Sequence, residues 1–540
     1  MTPGRLLTIT LALLMIAGCG GGGGGGGSDA LQPPVSDAPP PAPAPAPAPT
    51  PEPEPEPGFA SGTFEPYQNY DQLCENPRTG SDDRGRPFPD QPGSTLDENN
   101  WIRSWSHELY LWYDEITDVD PASLSTPDYF DVMRTFEVTL SGAPRDKFHF
   151  TIPTDDYQRS SQSGISGGYG LTFAVIRSRP PRQVVVAYTE PNTPATDPAV
   201  NIQRGAEILE VDGVDMVEGD DTDVLNGGLF PGDNETHTFL IRDTPDAEPR
   251  TVTMTSTQIL STPVQNVSTI ETTSGLVGYM TFNDHIGPSE VQLIDAVEFL
   301  QTAGIQDLVL DIRYNGGGYL DIANQLAFMI AGPARASGRT FETLQFNDKH
   351  PNVNPITGRA IQPDIFRETA RGFSASPGRA LPGLGLSRAF VLTGPGTCSA
   401  SESVINSLRG IGVEVVQIGS TTCGKPYGFY PADNCGTTYF SIQFRGVNDM
   451  NFGDYSDGFS PENTPETEGV PLPGCLVSDD FTRLLGDPLE GRLRAALTYR
   501  EDGSCPSVIS GRNARPHRSL SSVDGVVIKP EWLMNRLLVE

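Results

Sequence analysis

Along residues 99–140 the apolar positions fall at helical intervals. Trp101, Trp105, Leu109 and Trp112 follow one another at four, four and three residues. That spacing predicts a helix from Asn99 to about Leu140 with its aromatic face turned to a core. A second helical stretch is expected from Pro127 to about Thr139, leading into Arg145-Asp146-Lys147-Phe148. Between Ser161 and about Ser261 the period shortens to two. Leu171 to Ile176, Gln183 to Tyr188, Glu207 to Val211, His237 to Ile241 and Thr251 to Thr255 read as strands separated by Gly, Pro and Asp turns, which together make a compact β-rich module. From Leu276 onward buried strands alternate with helices. Leu308 to Arg313 is a strand that runs into Tyr314-Asn315-Gly316-Gly317-Gly318, and an apolar helix follows to Ile330. Ala389 to Thr393 repeats this grammar through a turn to Cys398, a helix opened by Ser399-Ala400-Ser401-Glu402, and a strand from Val413 to Ile418. Such succession implies parallel crossovers, with loops at the strand carboxyl ends converging on a site.

The first residues lack this texture. Arg5 precedes a short apolar stretch, Leu6 to Ile16, and then Ile16-Ala17-Gly18-Cys19; the stretch is too short to span a bilayer comfortably. It resembles a bacterial lipoprotein signal, which implies a removed segment 1–18, lipidation of Cys19 and a membrane anchor. Gly20 is not the Asp that commonly retains such proteins at the inner membrane, so the expected location is the outer membrane, facing the periplasm. Residues 19–60 hold an unbroken Gly20 to Gly27 run and then Pro-Ala and Pro-Glu repeats. These read as a flexible coil followed by an extended polyproline rod, a tether without a core.

Charge and composition narrow the partners. The 540 residues carry 36 Lys+Arg against 69 Asp+Glu, a formal charge of -33, which argues against nucleic acid. Six cysteines remain after Cys19: Cys74, Cys398, Cys423, Cys435, Cys475 and Cys505. An even number in an exported chain favours disulfides, although connectivity stays open. No Cys-x-x-Cys spacing occurs, so zinc, thioredoxin-type and c-haem readings are weak, and no metal or cofactor is expected.

Two chemically interesting groups stand close in this plan. Ser399 opens a helix, and Lys425 lies in Gly419-Ser420-Thr421-Thr422-Cys423-Gly424-Lys425, after the next strand. A serine hydroxyl needs a base to become a nucleophile, and a lysine serves only as the neutral amine, which burial favours. Backbone donors for a tetrahedral oxyanion are available at Ala400, on the helix N-terminus, and among the glycines after Asn315. Ser399-x-x-Glu402 is equally a helix capping box. His285 in Asn283-Asp284-His285 is an alternative base, though a histidine there is more often structural. Within the β-rich module, Gly168-Tyr169-Gly170-Leu171 precedes a strand, and Arg204-Gly205-Ala206-Glu207 to Gly213 follows about 30 residues later. The pair looks like the carboxylate-binding loop and later strand-turn of a PDZ domain, in which backbone N–H groups hold a peptide C-terminus while the peptide adds to the sheet edge.

The ordered set Asp311-x-Arg313-x-Asn315-x-Gly317-Gly318, Ser399-Ala400-Ser401-Glu402 and Gly419-x-x-Thr422-x-Gly424-Lys425 resembles the C-terminal processing, or tail-specific, serine peptidase family. Tyr110-Leu111-Trp112-Tyr113 and the PDZ-like module agree with it. The resemblance implies a multidomain α+β fold: a helical N-terminal region (61–160), a PDZ-like domain (161–262), a crotonase-like α/β peptidase core (263–500) and a C-terminal segment (501–540). It implies a Ser/Lys dyad with Ser399 as nucleophile, Lys425 as general base and the amides of Gly317 and Ala400 as oxyanion donors. Gly168, Tyr169, Gly170 and Leu171 would hold the C-terminus of a polypeptide substrate. Many members place a Gln four residues after the lysine; Phe429 stands there. Cys398 precedes the nucleophile, and a bridge to Cys423 would clamp the dyad; as a free thiol Cys398 would itself be a rival nucleophile. The alternative function is a catalytically inactive, PDZ-bearing envelope protein that only binds peptides.

Overall fold

The computed structural model describes residues 59–82, 85–506, 524–529 and 536–537. The expected export signal, Cys19 and nearly all of the expected tether lie outside these residues. No helix among the described residues is long and apolar enough to cross a membrane.

Helix α1 spans Thr95–Leu109. Ser94 caps it by accepting the Asp97 N–H, and Asp97 and Glu98 in the first turn suit the positive end of the helix dipole. Trp101 and Trp105 stack with centroids 5.1 Å apart and pack with Tyr129, Phe130 and Tyr439. The helix is shorter than its pattern predicts. At Tyr110 the backbone turns extended, and the Leu111 N–H leaves to bond Ile442 O at 2.8 Å. Trp112 therefore sits off the face and meets Tyr427 edge-on. Helix α2, Thr126–Val132, also stops short of Thr139. Beyond Met133 the Thr135 N–H is taken by Tyr110 Oη, and a turn through Gly142 pairs Glu137 with Arg145. Backbone partners from outside the segment end the helix.

The β-rich module contains β1 (Ile165–Gly168), β2 (Leu171–Arg177), β3 (Gln183–Thr189), β4 (Glu207–Val211), helix α3 (Thr222–Leu229), β5 (Thr236–Arg242), β6 (Arg250–Thr255) and β7 (Thr257–Leu260). β6-β5-β4-β3-β2 form an antiparallel sheet in that order, and β7 pairs with β1. Val184 and Val186 face the module's own core. Val185 and Ala187 pack on Tyr314 and Leu485 of the adjoining core. Burial on both faces explains why Gln183 to Thr189 reads as an almost continuous apolar run.

The third region centres on a sheet of order β8-β9-β10-β12-β13-β15. Its elements, in chain order, are β8 (Val264–Thr272), β9 (Gly275–Phe282), α4 (Ser289–Ala303), β10 (Asp307–Asp311), β11 (Gly318–Tyr319), α5 (Leu320–Ala331), β12 (Arg388–Thr393), α6 (Ala400–Gly410), β13 (Glu414–Gly419), β14 (Tyr427–Gly428), β15 (Gly474–Leu476) and α7 (Gly491–Asp502). β8 runs antiparallel to β9, and every other neighbour pair is parallel. Leu308, Leu310 and Val391 point to the side of α4, α5 and α6, while Val309, Phe390 and Val416 pack with Leu493 and Ala496 of α7. The register sets Asp311 beside Leu392 and Thr393 beside Gly419. The loops leaving β10, β12 and β13 thus start at one level. The protein is mixed α+β. Its last described residues rejoin it: β16 (Val526–Val527) pairs with β2, and β17 (Arg536–Leu537) pairs with β11.

Candidate active site

Ser399 lies between β12 and α6, at the N-cap position, with φ 59° and ψ -116°. A non-glycine residue in this region is strained and persists only where its surroundings over-determine it. The turn is held by its neighbours. Thr397 Oγ1 donates to Ile312 O at 2.8 Å, the Cys398 N–H donates to Asn315 O at 3.2 Å, and the Cys423 N–H donates to Thr397 O at 2.9 Å. The predicted capping box is in place, although only its Glu402 half has full hydrogen-bond geometry. Glu402 Oε2 accepts the Ser399 N–H at 2.9 Å, but the Ser399 hydroxyl, though placed as a cap, has no hydrogen-bond partner and is completely buried.

Glu402 ties the two sequence motifs together. Its Oε2 also accepts the Lys425 N–H at 2.8 Å, and its Oε1 accepts the Gly424 N–H at 2.9 Å and the Thr422 hydroxyl. The backbone nitrogens of Ser399 and Lys425 are therefore held against one oxygen atom. Burial pushes the Glu402 carboxyl up, and the Thr422, Lys425, Gly424 and Ser399 donors pull the other way. Gly424 has φ +79°, and a Cβ there would lie 2.2 Å from Ser456 O, so the loop closes this tightly only with glycine. Cys398 and Cys423 form a disulfide across the same gap. Cys398 is thus not a free thiol, which removes it as a rival nucleophile. Cys74–Cys435 and Cys475–Cys505 complete the pairing of all six.

Lys425 is completely buried, with Nζ 4.5 Å from the Phe148 ring centroid and 4.3 Å from that of Phe429. Phe429, which stands four residues after the lysine, presents its ring face to the amine. Phe148 comes from the N-terminal region, whose Lys147 also donates to Cys423 O at 3.0 Å. This contribution was hidden in the sequence, because the two strings are 276 residues apart.

Asn315 is the second hub. Its Oδ1 accepts the Gly317 N–H at 3.0 Å and bonds His285 Nδ1 at 2.9 Å, and its Nδ2 donates to Phe282 O. Its carbonyl accepts from Cys398 N–H and Ser401 Oγ. Gly317, expected as an oxyanion donor, is thus already engaged. Ala400 occupies the first helical position, whose N–H has no intrahelical acceptor. Burial drives the His285 pKa down to about 3, against the opposing bonds from Asn315 and Gly317. The imidazole is neutral, and its Nε2 is buried without a partner. His285 sits beside the glycine loop as a support for Asn315.

A charged cluster backs the same loop. Arg313 bonds Asp311, Glu490 and Asp479, and Arg204 of the β module bonds Asp479 and the Tyr314 hydroxyl. Burial alone would raise the Asp479 carboxyl, yet Arg204, Arg313 and Arg492 hold it well below the usual carboxylate range. Asp311 and Arg313, read as part of a motif, are structural members of this cluster.

Gly168, Tyr169, Gly170 and Leu171 line a cavity of about 460 Å³ with Leu229, Phe230, Asp284 and Ile286. Gly170 has φ +81°, and a Cβ there would strike the Thr193 side chain at 2.3 Å.

Residues 275–428, from β9 to β14, match the profile of peptidase family S41. A putative S41 protease from Bacteroides fragilis has a similar fold, with TM-score 0.54, 23% identity, and coverage of 75% of this chain and 97% of that one. The photosystem II D1 C-terminal processing protease aligns at TM-score 0.41 and 20% identity, over 75% of this chain and 100% of that one. Comparison with curated protein sequences finds none that matches. The segment that carries Ser399, Lys425 and the glycine loop thus matches the peptidase family S41 model, and the fold around it is similar to that of an S41 protease.

Proposed function

We propose that the protein is a serine endopeptidase that cleaves polypeptides recognised by their C-terminal tails, with Ser399 as nucleophile and Lys425 as general base. The observation that carries this reading is the completely buried, unpartnered Ser399 hydroxyl on a strained helix start, with Lys425 tied to the same Glu402 oxygen. The neutral Lys425 amine takes the Ser399 proton as Oγ attacks the scissile carbonyl carbon. The oxyanion is held by the Ala400 amide and by the Gly317 amide, the latter exchanging Asn315 Oδ1 for the substrate. The protonated lysine then gives its proton to the departing amine, which leaves an ester on Ser399. Water, deprotonated by Lys425, hydrolyses that ester and restores both groups. Phe148 and Phe429 exclude water and fix the amine where other members are expected to use a Gln.

In the same reading, the β module is PDZ-like and receives a peptide strand along β2, with its end at Gly168–Leu171. The chain is anchored by lipid at Cys19 in the bacterial envelope, and three disulfides suit that oxidising space.

The test is cleavage of an unfolded reporter with an apolar C-terminal tail by the wild-type chain, Ser399→Ala and Lys425→Ala. Loss in both variants, with circular dichroism unchanged, is the expected result. Tail binding by the wild type without cleavage would instead support a protein that only binds peptides.

A further inference from the structure

The β2 edge, where a substrate strand is expected to add, is already occupied by this chain. Val526 and Val527 pair antiparallel with Val175 and Ala174, and the Ile528 N–H donates to Phe173 O at 3.2 Å. The segment runs toward Gly168–Leu171, the sense of a peptide whose end enters that loop. Ile528 and Lys529 line the same cavity as Gly168, Tyr169, Gly170, Leu171, Leu229 and Phe230.

Both ends of the segment are fastened by buried charge. Asp524 Oδ1 accepts the Asp479 N–H at 2.9 Å, and Oδ2 lies 2.9 Å from Arg492, a close charge contact without hydrogen-bond geometry. Lys529 Nζ donates to Asp284 Oδ1 at 2.8 Å and to Asn283 O at 2.9 Å, with both side chains nearly inaccessible. Between them Val527 packs against the patch of Ala174, Tyr188 and Tyr314. Asp284 adjoins His285, whose N–H bonds Gly317 O. Further along, Arg536 and Leu537 pair in parallel with Gly318 and Tyr319, next to that same glycine. The chain's last described residues thus pair with β2 and with β11, the strand that follows the glycine loop.

We infer that Asp524–Lys529 is a built-in ligand of the β2 edge, that this edge accepts an extended apolar strand followed by a lysine read by Asp284, and that the tail keeps the site self-occupied until a substrate strand displaces it. An attached ligand acts at an effective concentration in the millimolar range. A substrate therefore meets a competitor that weakens its apparent affinity and leaves the chemical step alone. The consequence for catalysis rests on the reading of Ser399 as nucleophile; the docking does not.

The experiment compares the wild-type chain, a variant lacking residues 524–540, and full-length Lys529→Glu, which keeps the chain length and sets like charges together. Anisotropy of a fluorescent peptide of residues 524–540 reports docking. The deleted form is expected to bind at least tenfold more tightly than wild type, Lys529→Glu to lie between them, and a Lys529→Glu peptide not to bind. Cleavage of the tailed reporter by both variants should show KM lowered several-fold with kcat unchanged, and added peptide should restore the wild-type KM. Equal peptide binding by wild type and Lys529→Glu, or a folded deleted form that binds no peptide, overturns the inference, as does an unchanged KM in active variants. Peptide binding by the opened forms with no cleavage by any form supports the docking and removes the Ser399 reading.

Discussion

Two polar centres sit at the carboxyl ends of the same core strands, and they are built in opposite ways. Around Arg313 the charges meet complementary partners: Asp311, Glu490 and Asp479 accept from it, and Arg204 and Tyr314 close the circle. Around Ser399 the scaffold atoms are tightly bonded, yet the Ser399 hydroxyl and His285 Nε2 are buried without partners. Buried polar groups are ordinarily satisfied, because leaving one unpaired costs about 1–3 kcal/mol. The first centre uses polarity to lock the β module to the core. The second retains unspent hydrogen-bonding capacity where a substrate would supply the missing partner.

Removing the Ser399 hydroxyl separates the two centres most clearly. Ser399→Ala should lower kcat by roughly 10³-fold or more, while chemical denaturation shows stability unchanged or raised by up to about 1 kcal/mol. A marked loss of stability would mean that the hydroxyl is structural. Arg313→Met should do the reverse, costing about 3–5 kcal/mol in the same measurement because Asp311 and Glu490 lose their buried counter-charge and Asp479 keeps only Arg204 and Arg492.

Glu402→Gln tests the bridge between the halves of the site. The amide presents a donor to groups that are themselves donors, so a loss of about 1–3 kcal/mol is expected, with a larger fall in kcat than in binding of the tail peptide. Equal kcat would show that Glu402 only caps the helix.

The remaining contrast, spread over several pH units, lies in titration. His285 titrates near 3 when folded and near 6.5 when unfolded, so the unfolded chain binds more protons between these values. Its contribution is present above about pH 6.5 and is lost as pH falls toward 3, at about 1.4 kcal/mol per unit at most. Denaturation curves of His285→Gln should show a shallower decline over that window. An identical slope would remove the buried neutral imidazole as its cause.

Much of this layout was legible in the chain. The strands of the β module and the crossovers of the core follow from period-two and apolar-run patterns, because burial by the sheet is local in sequence. Ser399 and Lys425 were legible as motifs with chemistry attached. The ends of α1 and α2 were not, since Ile442 and Tyr110 compete for their backbone groups from elsewhere. Glu402 read as a cap, and its second role appears only when the Thr422–Lys425 loop is brought against it. Phe148 and the Asp524–Lys529 strand carry no local signal, being ordinary residues whose meaning is their neighbour.

The periodicities, the nucleophile and base candidates, the glycine turns and an even set of cysteines after Cys19 were readable from the chain alone, because these are properties of residue type and short spacing. The tertiary structure decided which cysteines pair, what surrounds Lys425, that Gly317 is held by Asn315, and that the chain's own tail lies on β2. Each of those depends on contacts between distant segments, and hydrogen bonds, ring faces and sheet edges are completed only when folding brings the partners within a few ångströms.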